Sequence, residues 1–243
     1  MRLGFDLDGT VADLQSALAR EASRLFADID PGSLPRSAAP IRADEGQEDR
    51  SEPLLPHALS ARQQRELWRA VCASENFWET LDEIEPGALA RLAGLVGARR
   101  WELIFLTSRP QTRGDGAQVQ SHRWLASHGF PAPSVFVVNG SRGRIAAALE
   151  LDIVVDDRPE NCLDVAIDST ARPILVWRGD RDKVPGSARQ LGIGSVGSVS
   201  EVLDILDSLG QQEPDRVSMV EHLMRLLGLK PRAPARAGAC RAR

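Results

Sequence analysis

The 243-residue sequence has no tyrosine, few cysteines and no long uninterrupted apolar run. Its three cysteines, Cys72, Cys162 and Cys240, are odd in number and far apart, so they match neither a disulfide framework nor a metal-binding motif. A reducing, cytoplasmic setting fits this usage best. Because no segment is long and apolar enough to cross a bilayer, and Asp6 interrupts the first apolar residues, the sequence predicts neither a membrane span nor a signal peptide.

Positive charge is not in excess either. The formal net charge is -4 at pH 7, which gives no general attraction to nucleic acid. What the sequence does contain is 42% hydrophobic residues, enough at this length to bury a substantial core. We therefore expect one large domain, or a domain with a sizeable insertion, whose partner is a small molecule rather than a nucleic acid polymer or a membrane. No pattern indicates an oligomeric state.

Short apolar runs alternate with amphipathic stretches along most of the chain. Nearly all-apolar strands that alternate with helices predict an α/β, Rossmann-like parallel sheet with helices on both faces. The apolar runs predict strands over residues 1–6, 101–106, 135–138, 153–155 and 173–177. Helical periodicity predicts helices over residues 14–26, 58–72, 88–95, 119–127, 143–149 and 199–209.

Two segments depart from this alternation. Residues 28–57 are rich in Pro, Ser, Asp and Glu, which predicts a long flexible loop. Residues 211–243 contain one amphipathic stretch, predicted to be a helix packed on the core, and then a basic, Pro/Ala-rich tail that we expect to be disordered. A helix that binds a partner, and a tail that touches an anion weakly, are the alternative interpretations.

Polar side chains are concentrated where the predicted strands end. In the stretch GFDLDGTVAD, Asp6 and Asp8 follow the first strand; Thr107 follows the second, and Asp156 and Asp157 follow the fourth. The carboxyl ends of parallel strands lie at one edge of a sheet, where ligands bind at the point of reversal of strand order. We therefore expect these polar groups from three segments to converge.

Clustered carboxylates repel one another unless a cation lies between them. Mg²⁺ prefers hard oxygen ligands, so we expect Asp6, Asp156 and Asp157 to offer carboxylate oxygens and Asp8 its backbone carbonyl. A calcium loop starting at Asp6 would need glycine and glutamate at its sixth and twelfth positions, where this sequence has valine and alanine. The acids therefore predict a magnesium site.

The same residues carry the groups that hydrolyse a phosphate monoester. Asp6 can attack phosphorus in line and form an aspartyl-phosphate. Asp8 can protonate the leaving oxygen and later deprotonate the attacking water. Gly9 permits a sharp exit from the strand, and Thr107 and Ser108 can donate hydrogen bonds to the phosphoryl oxygens. A nearby cation is still needed to balance Asp6 and the transferring group.

Four motifs, in order, resemble those of the haloacid dehalogenase (HAD) superfamily in its phosphatase branch. DLDGTVAD resembles the first motif, the strand-end Thr107 the second, SRGRIAAALELD the third and IVVDDRPEN the fourth, the acidic pair. The resemblance spans residues 1 to about 162. It implies a Rossmann-like core, Mg²⁺ dependence and phosphomonoester hydrolysis through a phospho-aspartate.

The third motif departs from the family pattern, because arginine stands where lysine is usual. Arginine stays charged and can bond bidentately, but its fork is larger and planar. We assign the catalytic and substrate-binding role to Arg142, since Arg-Gly before the predicted helix resembles the Lys-Gly of the family. Arg144 is the alternative.

The resemblance also implies a division into domains. Residues 1–13 and 85–210 would form the catalytic core, and residues 14–84 an inserted helical cap that sets substrate choice. FWETLDEIEPGA, LTSRP and VVDDRPEN resemble, more loosely, the 5′(3′)-deoxyribonucleotidase-like branch, which makes a nucleoside monophosphate a candidate substrate. Phe77 and Trp78 can stack on its base, or they can simply pack the cap against the core.

Other interpretations stay open. The pair Asp156-Asp157 can cap a following helix, and Asp13 can either lie near the metal or cap the first helix. A dehalogenase of the same superfamily is disfavoured, because such enzymes lack the second acid, here Asp8. The alternative function is a non-catalytic HAD-like binding or regulatory protein, which the arginine of the third motif and the polar segment 28–57 favour.

Overall fold

The computed structural model describes residues 1–26, 59–210 and 226–227. The strands are β1 (Arg2–Asp6), β2 (Glu102–Thr107), β3 (Ser134–Val137), β4 (Ile153–Asp156), β5 (Arg172–Val176) and β6 (Gly194–Val196). The helices are α1 (Leu14–Leu25), α2 (Ala61–Ala73), α3 (Ala88–Arg99), α4 (Ala117–Ser127), α5 (Arg142–Ala148), α6 (Pro159–Asp168), α7 (Gly186–Gln190) and α8 (Val199–Gly210). None of these described helices is long and apolar enough to cross a bilayer.

The six strands form one parallel sheet in the order β3-β2-β1-β4-β5-β6. The predicted α/β Rossmann-like class is therefore confirmed. The chain runs outward from β1 through β2 to β3, and then resumes on the other side of β1 with β4, β5 and β6. The strand order thus reverses between β1 and β4, which is where an open α/β sheet binds its ligand.

Alternate side chains of the central strands enter hydrophobic clusters on opposite faces of the sheet. Phe105 and Val155 lie in the larger cluster, which α3 and α8 complete. Their neighbours Leu106 and Val154 lie in a second cluster with residues of α5 and α6. Because side chains alternate between the two faces, both faces are buried. Ligands can therefore reach the sheet only at the ends of its strands.

One strand and two α-helices were not predicted from the sequence. Strand β6 has only three residues and begins with a glycine, so it forms no apolar run. Helix α6 begins at a proline, and its buried face consists of Cys162 and Val165 only. Helix α7 spans five residues, of which only Ala188 is buried. Such short elements are set by packing against neighbours rather than by local periodicity.

The chain segments that precede α1 and that follow residue 81 contact each other. Ala12 forms an isolated antiparallel bridge with Glu83, and the Asp13 N–H donates to the Asp82 carbonyl at 2.8 Å. Helices α1 and α2, which lie between these points in sequence, pack against each other. The division into core and cap stays a prediction.

Most of the two unusual segments falls outside the described residues. That applies to the predicted loop over residues 28–57 and to the predicted helix and tail over residues 211–243, apart from residues 226–227. Leu227 packs against the larger hydrophobic cluster, next to Gly194 of β6.

Candidate active site

Three buried carboxylates meet at the carboxyl edge of the sheet. Asp6 ends β1, Asp156 ends the neighbouring β4, and Asp157 follows it. Each offers one oxygen, and these oxygens all lie within 4.8 Å of one another. The fold therefore brings together acids from opposite halves of the sequence, because β1 and β4 pair in the sheet.

Burial and mutual repulsion disfavour the charged form of Asp6. Its pKa is raised well above the ordinary value by burial first and then by Asp156; Arg142 lowers it in part, while Asp157 and Asp8 raise it further. Burial also raises the pKa of Asp156. A divalent cation would offset this repulsion, and hard carboxylate oxygens are the ligands that Mg²⁺ prefers. The donor set thus fits such an ion.

Hydrogen bonds from neighbouring residues orient Asp156 and Asp157. Asp156 accepts from the Asn161 side-chain amide at 2.9 Å and from the Arg158 N–H at 2.8 Å, just before α6 begins. Thr10 donates its hydroxyl to Asp157 at 3.2 Å. Asp156 therefore supports the start of α6 while it lies in the carboxylate cluster.

Gly9 makes room for this cluster. Its φ is +88°, in the region that favours glycine, and a Cβ there would lie 2.3 Å from Asp157 Oδ2. The loop after β1 can approach Asp157 this closely only because residue 9 has no side chain.

Arg142 lies beside Asp6, and Arg144 does not. The buried Arg142 donates through Nη2 to Asp6 Oδ1 at 2.9 Å and to the Ser108 hydroxyl at 3.2 Å. Arg144 is exposed on α5. Gly143 lets α5 approach α6, since a Cβ there would lie 2.1 Å from the Asp164 carbonyl oxygen. This close approach of the two helices positions Arg142 at the carboxylates.

One nitrogen of Arg142 is left without an acceptor. Nη1 is buried and makes no hydrogen bond within the residues that the structure describes. A buried guanidinium N–H without a partner is costly, and an anionic oxygen would satisfy it. The Ser108 hydroxyl, which accepts from Arg142, keeps its own hydrogen to donate. The surroundings of Asp6 therefore fit an anion as well as a cation.

The Asp8 carboxylate is not a member of the three-carboxylate cluster, and its hydrogen bonds are different. Arg109 donates to both of its oxygens, and Thr107 donates its hydroxyl to Asp8 Oδ2 at 2.9 Å. The Thr107 hydrogen that the sequence assigned to a phosphoryl oxygen thus points to Asp8 in this arrangement. Sequence reasoning gave Arg109 no role. The available signal was its spacing, two residues beyond a strand end, as Asp8 lies two residues beyond Asp6.

Phe77 and Trp78 occupy the interior rather than an open surface. They form a short 3₁₀ turn with Glu79, and their rings meet edge to face at 5.1 Å. Trp78 is fully buried and Phe77 almost so. These positions match the packing alternative, because Trp78 has no exposed face on which a base could stack.

Asp13 caps α1. Its carboxylate accepts from the Ser16 N–H at 2.9 Å, as an N-cap residue does. Of the two roles left open by the sequence, the structure thus has the capping one.

A charged network fixes the loop that follows β1. Arg178, just beyond β5, donates to the carbonyls of Gly9 at 2.6 Å and Thr10 at 2.9 Å. Its guanidinium also pairs with Glu85 at 2.9 Å. Arg178 therefore connects the loop after β1 to Glu85, just before α3.

Glu85 should stabilise the fold in a pH-dependent way. Burial raises its pKa, but hydrogen bonds from the Val199 and Ser200 N–H groups, Arg178 and the Ser200 hydroxyl lower it by more, so the net pKa lies below the ordinary value. We expect Glu85→Gln to reduce the free energy of unfolding by about 1 to 3 kcal/mol at pH 7. Because the folded protein lowers the pKa of Glu85, its carboxylate stabilises the fold fully at pH values above the ordinary pKa of 4.5. This stabilisation is lost as the pH falls through the lowered pKa.

Urea unfolding of both proteins between pH 3 and pH 7 measures this difference. The difference in unfolding free energy between wild type and Glu85→Gln should become smaller below about pH 4.5. Glu66→Gln, on the exposed face of α2, is the control. A gap that stays constant across this range would show that the charge of Glu85 contributes nothing.

Comparison with known proteins gives a common fold. A candidate beta-phosphoglucomutase from Thermotoga maritima is similar with a TM-score of 0.50 at 18% identity, over 85% of this chain and 98% of that one. This likeness shows a shared fold. A hydrolase from Pseudomonas syringae has a TM-score of 0.48 at 16% identity, over 88% of this chain and 100% of that one. A HAD family hydrolase from Deinococcus radiodurans, with bound phosphate and sodium, has a TM-score of 0.47 at 12% identity, over 95% and 98%.

The sequence itself matches no protein-family model and no curated protein.

Proposed function

We propose that this protein is a Mg²⁺-dependent phosphomonoester hydrolase of the haloacid dehalogenase type, which acts through an aspartyl-phosphate on a small phosphorylated metabolite. One observation carries the proposal. The buried carboxylates of Asp6, Asp156 and Asp157 lie beside a buried arginine, Arg142, whose Nη1 has no partner among the described residues. Adjacent sites for a cation and an anion are what metal-assisted phosphoryl transfer requires.

Asp6, Asp156 and Asp157 would hold Mg²⁺ through carboxylate oxygens, and Asp8 through its backbone carbonyl. When bound, the ion supplies positive charge that neutralises the phosphoryl group and lets a carboxylate approach it. Arg142 and the hydroxyl of Ser108 would bind phosphoryl oxygens next to Asp6. Thr107 contributes by donating to Asp8 and by its place at the end of β2.

The reaction has two steps. In the first, a carboxylate oxygen of Asp6 attacks phosphorus, the bond from phosphorus to the leaving oxygen breaks, and Asp8 gives that oxygen its proton. In the second, Asp8 takes a proton from water, the water oxygen bonds to phosphorus, and the bond from phosphorus to Asp6 breaks. Inorganic phosphate leaves, and both aspartates return to their initial states.

Residues 14–84 would act as the cap that covers this site. Helices α1 and α2 belong to this segment, and it returns to the core beside β1 through Asp82 and Glu83. Substrate choice would depend on side chains of this cap. The resemblance of LTSRP and VVDDRPEN to the nucleotidase-like branch adds nucleoside monophosphates to the candidates.

A metal-dependent phosphatase assay tests the proposal. We expect purified protein to release phosphate from p-nitrophenyl phosphate when Mg²⁺ is present, and to lose this activity in EDTA and regain it on addition of Mg²⁺. A panel of dUMP, dTMP and sugar phosphates then ranks substrates by kcat/KM. A preference for nucleotides of at least about tenfold, or 1.4 kcal/mol, would support the nucleotide hypothesis.

The alternative is a non-catalytic binding protein with the same fold. It predicts that Mg²⁺ and phosphate raise the melting temperature while no phosphomonoester of the panel is hydrolysed. The absence of hydrolysis with every substrate, together with such stabilisation, would favour the alternative.

A further inference from the structure

We propose that Arg109 is a positioning residue, which holds the Asp8 carboxylate in the orientation needed for its proton transfers. This inference rests on the proposed function. It adds a residue that the four motifs do not assign, and it gives a role to the contacts that hold the Asp8 carboxylate.

The contacts between Arg109 and Asp8 fix both carboxylate oxygens. Arg109 Nε lies 3.0 Å from each oxygen, and Nη2 lies 2.8 Å from Oδ1. Thr107 adds its hydroxyl at 2.9 Å from Oδ2. A carboxylate held by a guanidinium fork and a hydroxyl cannot rotate freely about its side-chain bonds, whereas an unbound aspartate has a broad terminal torsion.

Arg109 is itself held on several sides. Its side chain is fully buried, and Nη1 donates to the Ser121 hydroxyl of α4 at 2.9 Å. The guanidinium carbon lies 5.0 Å from the ring centroid of Trp78 and 5.7 Å from that of Trp124. Both distances are within the range of cation–π attraction. The arginine therefore presents its Nε and Nη2 edge to Asp8 from a fixed position.

The two tryptophans are fixed in turn by backbone contacts. Trp78 Nε1 donates to the Pro110 carbonyl at 2.9 Å, and the backbone N–H of Trp78 donates to Gln120 Oε1 at 3.0 Å. Trp124 Nε1 donates to the Leu81 carbonyl at 2.7 Å. The burial of Trp78, which leaves no face for a base, thus supports Asp8 through Arg109.

This placement matters most for substrates that need a proton on the leaving oxygen. An alkoxide leaves only if it is protonated as the bond to phosphorus breaks, while nitrophenolate is stable without a proton. Displacement of a catalytic group by about 1 Å can cost roughly 10²-fold in rate. Misplacement of Asp8 should therefore slow alkyl phosphate hydrolysis far more than aryl phosphate hydrolysis.

Arg109→Lys keeps the charge but removes the fork. We expect it to lower kcat for the best alkyl phosphate of the substrate panel about tenfold to a hundredfold more than kcat for p-nitrophenyl phosphate. KM for both substrates should stay near the wild-type value, because Arg109 does not contact Asp6 or Arg142. The Mg²⁺ concentration that gives half of the maximal rise in melting temperature should also be unchanged.

Three further comparisons make the experiment specific. In an Asp8→Asn background, Arg109→Lys should change the alkyl-to-aryl rate ratio no further, because the two residues act as one unit. Ser121→Ala removes one acceptor of Arg109 and leaves the fork intact, so it should shift the ratio in the same direction by a smaller factor. Arg123 is an exposed arginine on α4, so Arg123→Lys is the control that should leave the ratio unchanged.

The outcomes separate the two proposals. Equal loss of both activities in Arg109→Lys, or a ratio change that persists in the Asp8→Asn background, would overturn the positioning role and leave the phosphatase proposal intact. An unchanged ratio in both Arg109→Lys and Ser121→Ala would do the same. Wild-type protein that hydrolyses neither substrate would instead overturn the phosphatase proposal, and this inference with it.

Discussion

Asp6→Asn should abolish hydrolysis, with kcat reduced roughly 10⁴-fold or more, as expected when a nucleophile is removed. Asparagine has nearly the size of aspartate, but its amide oxygen does not form a covalent phosphoryl intermediate. Phosphate release from p-nitrophenyl phosphate at saturating Mg²⁺ measures the loss. A variant that hydrolyses at the wild-type rate would remove Asp6 from the nucleophilic role.

Loss of activity in this variant should not come from loss of folding. Since burial and the neighbouring Asp156 raise the pKa of Asp6, the folded protein disfavours its charged form. A neutral isostere should therefore give a metal-free melting temperature at pH 7 equal to or above that of the wild type. The stabilisation by Mg²⁺ should shrink, because one ligand is lost.

Asp13→Asn is the matched control for the same loop. Asp13 caps α1 through the Ser16 N–H, and asparagine is as good an N-cap as aspartate. We expect this variant to keep activity and Mg²⁺ response. A large loss there would mean that any change in the loop after β1 disrupts the site, and the Asp6 result would then say little about chemistry.

The second large effect should come from Arg142. Arg142→Ala removes the donor to Asp6 and the buried Nη1, so we expect kcat/KM to fall about 10²- to 10³-fold, as for loss of a preorganised donor. It also leaves Asp6, Asp156 and Asp157 with less positive charge beside them. The metal-free protein should therefore be less stable, and Mg²⁺ should restore more of that stability than in the wild type.

Arg144→Ala provides the comparison, because Arg144 lies two residues on and is exposed. Its activity should stay within about twofold of the wild type, as for an ordinary surface substitution. Arg142→Lys should retain more activity than Arg142→Ala, since it keeps the charge although it loses the fork. Equal activity of Arg142→Ala and Arg144→Ala would remove the third motif from the mechanism.

The sequence predicted the architecture well because the architecture depends on local pattern. Apolar runs and helical periodicity predicted five of the six strands within one or two residues at each end, and the strand ends predicted where acids would lie. β6 was missed because a three-residue strand containing glycine has too little pattern to recognise. The convergence of Asp6 and Asp156 required only that β1 and β4 be parallel and adjacent.

Side-chain partners were harder to predict, because long side chains reach several positions from one backbone location. Sequence spacing left Arg142 and Arg144 as alternatives, and the close approach of α5 to α6 at Gly143 put Arg142 at Asp6. The spacing of Arg109 in LTSRP, two residues beyond a strand end, indicated that it lies near the site, but not that it would donate to Asp8.

By itself, then, the sequence determined the order of the longer strands and most helices, which follows from the period of the apolar residues, and it showed acids crowded at the strand ends. Only the tertiary structure decided which arginine contacts Asp6, that Arg109 donates to Asp8, and that Trp78 is buried against Arg109. Those choices depend on how helices pack on the sheet, and packing brings together residues that no local pattern relates.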